Sequence, residues 1–183
     1  MPNIAALYSL LHGSKVFSNI DLVRGYNQIP MDKESIAKTA VITPFGLFEY
    51  LCMPFGLCNA TRTFQRFMNE LFGHLDFVFI YIDDILIFSK SAVEHMQHLQ
   101  EVLRILHENG LKIGLEKCNF CKSSLKFLGH TISADGIRPC VKKCEAMEKL
   151  EVPETFHELH RFLGAMGFYR KHIPNYAEHE FLL

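Results

Sequence analysis

The sequence predicts an α+β fold in which an antiparallel sheet packs on two helices, and three observations carry that prediction. Residues 77–82 and 85–88 are β-branched and aromatic runs on either side of Asp83-Asp84, which reads as two buried strands with the acidic pair where the chain reverses. Two longer segments repeat apolar residues at helical spacing: Phe64, Phe67, Met68, Leu71 and Phe72 within 59–73, then Met96, Leu99, Leu103 and Leu106 after Ser91. A third strand, 16–22, delivers a lone carboxylate, Asp21, beside the apolar core.

The remaining elements follow in chain order. Residues 2–11 have the spacing of a short amphipathic helix, with Ile4, Leu7, Leu10 and Leu11 on one side and Gly13 ending it. Ser91-Ala92-Val93-Glu94 has capping-box spacing, and Asn109-Gly110 supplies the helix stop. Residues 125–132 read as a strand pair broken at Gly129, after which Asp135-Gly136 turns the chain toward Pro139. Residues 141–150 form one short helix, and Thr155-x-x-Glu158 caps another carrying Phe156, Leu159, Phe162, Leu163 and Met166.

With 183 residues and 49% hydrophobic content the chain holds one domain and a small appendage, with ample material for a core. No membrane span or signal core is present, so a soluble, intracellular domain with six reduced cysteines is expected. The net charge of −1 argues against a uniformly basic nucleic-acid binder, but residues 112–143 hold seven Lys or Arg against Glu116 and Asp135. Phosphate-backbone contacts are expected there.

The acidic pair carries the chemistry. Ionised carboxylates next to apolar strands require compensation, and Asp-Asp is a poor two-residue turn because both central positions favour positive φ. A divalent cation answers the need for compensation, and magnesium, which takes one or two protein carboxylates and fills its shell with water and phosphate, is the natural candidate. A rival reading is a four-cysteine zinc-binding module from Cys118, Cys121, Cys140 and Cys144, although neither pair has the Gly-containing knuckle of a zinc ribbon. His95, His98 and His107 lack acidic or Cys partners at metal spacing and read as surface residues.

Tyr81-Ile82-Asp83-Asp84 resembles the Y-x-D-D signature of reverse transcriptases, and the wider pattern is similar to the gypsy-type polymerases of long-terminal-repeat retrotransposons. Phe17-Ser18-Asn19-Ile20-Asp21-Leu22 with Gly25-Tyr26-Asn27-Gln28-Ile29 resembles the first catalytic-aspartate block. Lys38-Thr39-Ala40 and Pro44-Phe45-Gly46 match the hairpin after it, and residues 53–60 with Thr63-Phe64-Gln65-Arg66 match the nucleotide-pocket loop and its helix. Phe127-Leu128-Gly129-His130 resembles the primer-gripping hairpin. The match runs along nearly the whole chain, with Thr61-Arg62 departing from the family's small or Pro-containing residues.

This resemblance implies a polymerase palm with a ferredoxin-like core over residues 1–133, and the primer-grip exit and start of a helical thumb over 134–183. It implies templated nucleotidyl transfer with two Mg2+ or Mn2+ ions, Asp21 and Asp83 bridging them and Asp84 in support. Leu22 would complete a metal shell through its carbonyl, and Arg24, Tyr26 as steric gate, Phe55, Gln65, Tyr81, Ile82 and Lys117 would surround the nucleotide. Arg24 is expected to be the one cation near the metal block able to meet the triphosphate, with Lys117 the candidate proton donor to pyrophosphate. Phe127, Leu128, Gly129, His130, Lys142 and Lys143 would meet primer and template. The implied partners are an RNA or DNA template, a DNA primer, deoxynucleoside triphosphates, and the ribonuclease H and integrase of one polyprotein, in a cytoplasmic retroelement particle. In relatives a fingers segment precedes these blocks and a ribonuclease H domain follows them; without the fingers' cations, only weak polymerisation by the chain alone is expected. A non-catalytic nucleic-acid-binding remnant stays open as an alternative.

Overall fold

Alternation along one strand decides how the sheet is covered: Phe17, Asn19 and Asp21 point to one face, Ser18, Ile20 and Leu22 to the other. The computed structural model describes residues 4–181, and side chains over 7–178. Its elements are α1 (Ile4–Leu10), β1 (Val16–Asp21), α2 (Lys33–Ile36), β2 (Val41–Thr43), β3 (Gly46–Phe48), α3 (Ala60–Phe72), β4 (Val78–Tyr81), β5 (Asp84–Ser89), α4 (Ala92–Glu108), β6 (Asn119–Lys122), β7 (Ser124–Phe127), β8 (His130–Ser133), β9 (Gly136–Pro139), α5 (Val141–Glu148), α6 (Phe156–Phe168) and α7 (Tyr176–Phe181). Strands β4-β5-β1-β6 form the main antiparallel sheet. The order β1-α3-β4-β5-α4-β6 gives the ferredoxin-like βαββαβ plan.

One face carries Ile20, Leu22, Ile80, Ile85 and Ile87, and helices α3 (Phe64, Met68, Phe72) and α4 (Leu99, Val102, Leu106) bury it. On the other face Phe17, Phe79, Leu86 and Phe88 pack against Leu7 and Leu11 and against Leu125, Phe127 and Ile132 of the second sheet, β7-β8-β9. Three stripe positions differ from expectation: Leu10, Met96 and Phe156 are exposed, each at the margin of its helix's apolar face. Pro2 and Asn3, and the side chain of Ile4, lie outside the described residues. Both capping positions act as expected, with Ser91 and Thr155 accepting from the Glu94 and Glu158 amides.

The histidine reading needs correction. His95 is 0% exposed, and its ring bonds Ser18 Oγ (2.7 Å) and Ser89 Oγ (2.8 Å), linking α4 to β1 and β5. His98 also bonds Ser89 Oγ at 2.8 Å and stacks on Phe77 at 3.6 Å between centroids. Spacing alone misses them because their partners are serines on the inward face of β1 and β5. Burial, and secondarily the neighbouring His98 charge, holds the His95 imidazole below its usual titration range.

The β4–β5 reversal is centred on Ile82-Asp83, one residue earlier than the acidic pair suggests, because Asp84 already pairs with Tyr81 and with Asp21. Ile82 takes φ 58°, a region where a β-branched residue is strained by about 1–3 kcal/mol. Gln65 of α3 holds this turn from behind: its Oε1 accepts the Ile82 N–H at 2.8 Å, and its Nε2 donates to Asn69 Oδ1 at 3.0 Å and to Ile80 O at 3.4 Å. The residue is 5% exposed, and its side chain braces the turn.

Beyond the main sheet, the Tyr169 hydroxyl donates to Gly129 O at 3.2 Å, and His130 packs against Phe168, Tyr169 and His172. Tyr8 bonds His172 at 2.7 Å, joining α1 to the same cluster. A division at residue 133 falls in the turn between β8 and β9, which are paired neighbours. Among the described residues no helix is long and apolar enough to cross a membrane.

Two outcomes are expected. The unfolded chain takes up a proton on His95 near pH 6.5 while the folded chain resists it, so this share of stability is complete above 6.5 and is lost as pH falls below it. Thermal melts at pH 7.5 and 5.5 should therefore show a smaller acid-induced drop for His95→Gln than for the wild type; equal drops would refute the assignment. Gln65→Met leaves the Ile82 amide without its partner and should cost about 1–3 kcal/mol in urea unfolding, with an unchanged midpoint counting against the brace.

Candidate active site

The register of β1 on β5 sets Asp21 directly opposite Asp84, and the β4–β5 turn sets Asp83 beside them. Three carboxylates thus meet at one end of the sheet. The Leu22 N–H donates to Asp83 O at 3.4 Å, tying the turn to the end of β1. Gly25 allows close approach: a Cβ there would lie 2.9 Å from Phe64 Cζ and 3.2 Å from Asp83 Cβ.

Crowding shows in the electrostatics. Burial, then the charges of Asp83 and Asp21, push the Asp84 carboxyl up to about 6, against a hydrogen bond from Asn19 and the charge of Lys117. Lys117 Nζ lies 3.6 Å from Asp21 Oδ1, so this lysine, and not Arg24, is the cation at the carboxylates. Arg24 is exposed with φ 47°, at the entry to the 3-10 turn Gly25–Gln28. Cys118 lies behind Asp21, accepting its N–H at 3.5 Å and donating to Gly114 O at 3.2 Å.

A divalent ion of the magnesium type fits this donor set. Among the described residues no three His, Cys, Asp or Glu side chains form a group that could hold a metal ion by themselves, so water and substrate oxygens would have to fill most of the shell of any such ion. Among the described residues Asn19 Oδ1, beside Asp84, is buried with no hydrogen-bond partner, and the one ion pair to Asp21 comes from a largely exposed lysine, Lys117. The four-cysteine zinc alternative has no such support: Cys118 is engaged with Asp21 and Gly114, whereas Cys140 is buried at the start of α5.

Tyr26 stands next to Gly25, with its hydroxyl bonded to Thr61 Oγ1 at 3.1 Å and its ring edge-on to Phe64 and Phe55. Phe55 is 70% exposed and lines a cleft of about 420 Å3 with Asn27, Lys38, Thr39 and Tyr50. Tyr81 is half-buried opposite Asp84, and Leu22 is buried. Arg62 lies on the exposed side of α3 beside Arg66.

The residues that resemble a primer grip differ in exposure. Phe127 and His130 are buried, Phe127 against Phe79 and His130 in the aromatic cluster of α6. Leu128 and Gly129, both with positive φ, form the tip of the β7–β8 hairpin and remain half-exposed. Lys142 and Lys143 are exposed on α5. Sequence reasoning misses Asn19, Gly25 and Cys118. The first is readable, since position 19 shares a strand face with Asp21, whereas Cys118 reaches Asp21 only through the fold.

Residues 2–132 match the family described as "Reverse transcriptase (RNA-dependent DNA polymerase)". The retrovirus-related Pol polyprotein from transposon 297 of Drosophila melanogaster is 45% identical over 97% of the chain, and the transposon Tf2-3 polyprotein of Schizosaccharomyces pombe is 38% identical over the same share. The chain spans only 17% and 14% of those two polyproteins. Among solved structures, the foamy viral protease-reverse transcriptase dRH in complex with double-stranded DNA superposes with a TM-score of 0.90 at 26% identity, covering 97% of this chain and 31% of that one. The foamy viral protease-reverse transcriptase in complex with an RNA/DNA hybrid gives 0.76 at 28% identity, over 85% and 21%. With a palm-type sheet, three carboxylates at its edge and a family match over residues 2–132, the chain belongs to the reverse transcriptase family.

Proposed function

We propose that this chain is the catalytic palm of an RNA-directed DNA polymerase, residues 1–133, followed by the start of a thumb, residues 134–183, within a retrotransposon Pol polyprotein. The observation that carries the reading is the meeting of Asp21, Asp83 and Asp84 at the paired ends of β1 and β5. Its substrates are a DNA primer on an RNA or DNA template and deoxynucleoside triphosphates. Two Mg2+ or Mn2+ ions, when bound, would activate the primer 3′-hydroxyl and neutralise the triphosphate.

Asp21 and Asp83 would hold the ions, with Asp84 completing the acidic group and Asn19 hydrogen-bonding Asp84. The Leu22 carbonyl is a further candidate ligand. Lys117, whose Nζ lies 3.6 Å from Asp21 Oδ1, would be the proton donor to the departing pyrophosphate. Tyr26, fixed by Thr61 and by edge contacts to two rings, would stand against the sugar and favour deoxyribose. Arg24, exposed beyond the turn, is free to reach the phosphates. The exposed Lys142 and Lys143, with the half-exposed Leu128-Gly129 tip, would meet the duplex backbone.

Primer extension on an RNA template tests this reading, in the chain itself and in a fusion carrying the upstream segment of a related polyprotein. Extension should be weak in the chain and stronger in the fusion, and Asp83→Asn should reduce it by about a hundredfold or more in both. Extension that survives Asp83→Asn would overturn the assignment. Independently of turnover, Mn2+ should broaden NMR signals around both Asp21 and Asp83; broadening around one alone would rule out a shared site.

A further inference from the structure

After α4 the chain returns to the catalytic edge as a strap, residues 112–118, and one side chain fastens its near end. Gln28, the last residue of the 3-10 turn Gly25–Gln28, uses its whole amide: Nε2 donates to Val23 O at 2.7 Å and Lys112 O at 3.0 Å, and Oε1 accepts the Lys112 N–H at 2.6 Å. The Val23 N–H donates to the same Lys112 carbonyl at 3.0 Å, and Leu22 and Ile113 form an isolated bridge. Gln28 therefore acts as a neighbouring strand would, answering both backbone groups of Lys112.

From that anchor the strap is carried to Asp21. The Gly114 N–H donates to Asp21 O at 2.9 Å, and the Lys117 N–H donates to Gly114 O at 2.9 Å, closing the 3-10 turn Leu115–Lys117. This brings Lys117 Nζ to 3.6 Å from Asp21 Oδ1. The lysine side chain is 67% exposed, so its direction depends on the backbone that bears it. We propose that Gln28 is a positioning residue that sets the register of the strap and so delivers Lys117 to Asp21. The catalytic consequence rests on the polymerase reading; the structural half rests on the hydrogen bonds alone.

The test compares wild type with Gln28→Met, Lys117→Met and the double variant. Gln28→Met should speed amide hydrogen exchange at Lys112 and Gly114 by about tenfold while leaving Ile85 and Ile87 in β5 unchanged, since only the strap is released. Gln28→Glu, which keeps the acceptor for the Lys112 amide, should fall between. In the fusion, Gln28→Met should lower the maximal rate of single-nucleotide incorporation by about tenfold with little change in nucleotide KM, and the double variant should be no slower than Lys117→Met. Unchanged exchange at Gly114, or rate losses that multiply in the double variant, would overturn the proposal. If the wild-type fusion fails to extend a primer, the polymerase reading falls, and the exchange data alone decide whether Gln28 holds the strap.

Discussion

The antiparallel register of β1 on β5 is the constraint on which the rest depends. Six residue pairs run from Val16 opposite Ser89 to Asp21 opposite Asp84, and a slip of one residue would send every side chain of β1 to the wrong face. That register is secured from both sides. Ile20, Ile85 and Ile87 are clamped under α3 and α4, while Phe17, Leu86 and Phe88 are clamped under α1 and the second sheet. Because two apolar layers enforce it, the strands can end in carboxylates that repel each other.

The repulsion is not relieved by the protein alone. Asp84 is half-buried and feels both neighbouring charges, Asn19 gives it one hydrogen bond, and Lys117 faces Asp21 from a largely exposed position. A buried amide oxygen with no partner adds to the imbalance. Strain at Ile82 has the same origin, since the turn must place Asp83 beside its partners and Gln65 has to hold it there. The edge keeps an excess of negative charge, and its local costs are met by the core behind it.

Much of this is legible in the sequence, and the reasons differ by residue. The stripe of α3 and the capping of α4 and α6 are local patterns, so spacing finds them. The acidic pair announces itself as charge inside an apolar run, yet spacing places the turn one residue late, because pairing of Asp84 with Asp21 is a long-range fact that shifts the reversal to Ile82-Asp83. His95 looks like a surface residue for the same reason: its partners, Ser18 and Ser89, lie on other elements. Sequence proximity to Asp21 favours Arg24 over Lys117. Distance along the chain is a poor guide where a return strap brings residue 117 to residue 21.

The hairpin that resembles the primer grip illustrates a division of labour that sequence similarity conceals. Phe127 and His130 are spent on attachment: one packs on Phe79 of the main sheet, the other on Phe168, Tyr169 and His172, while Tyr8 joins α1 to that cluster through His172. Alternation along the paired strands β7 and β8 leaves Lys126 outward when Phe127 is inward, and the positive-φ tip at Leu128-Gly129 is half-exposed. The buried rings hold the hairpin to its neighbours, and the tip and Lys126 are the parts left toward solvent. Burial of Phe127 and His130 thus fixes the second sheet against β4 and ties the start of the helical appendage to it.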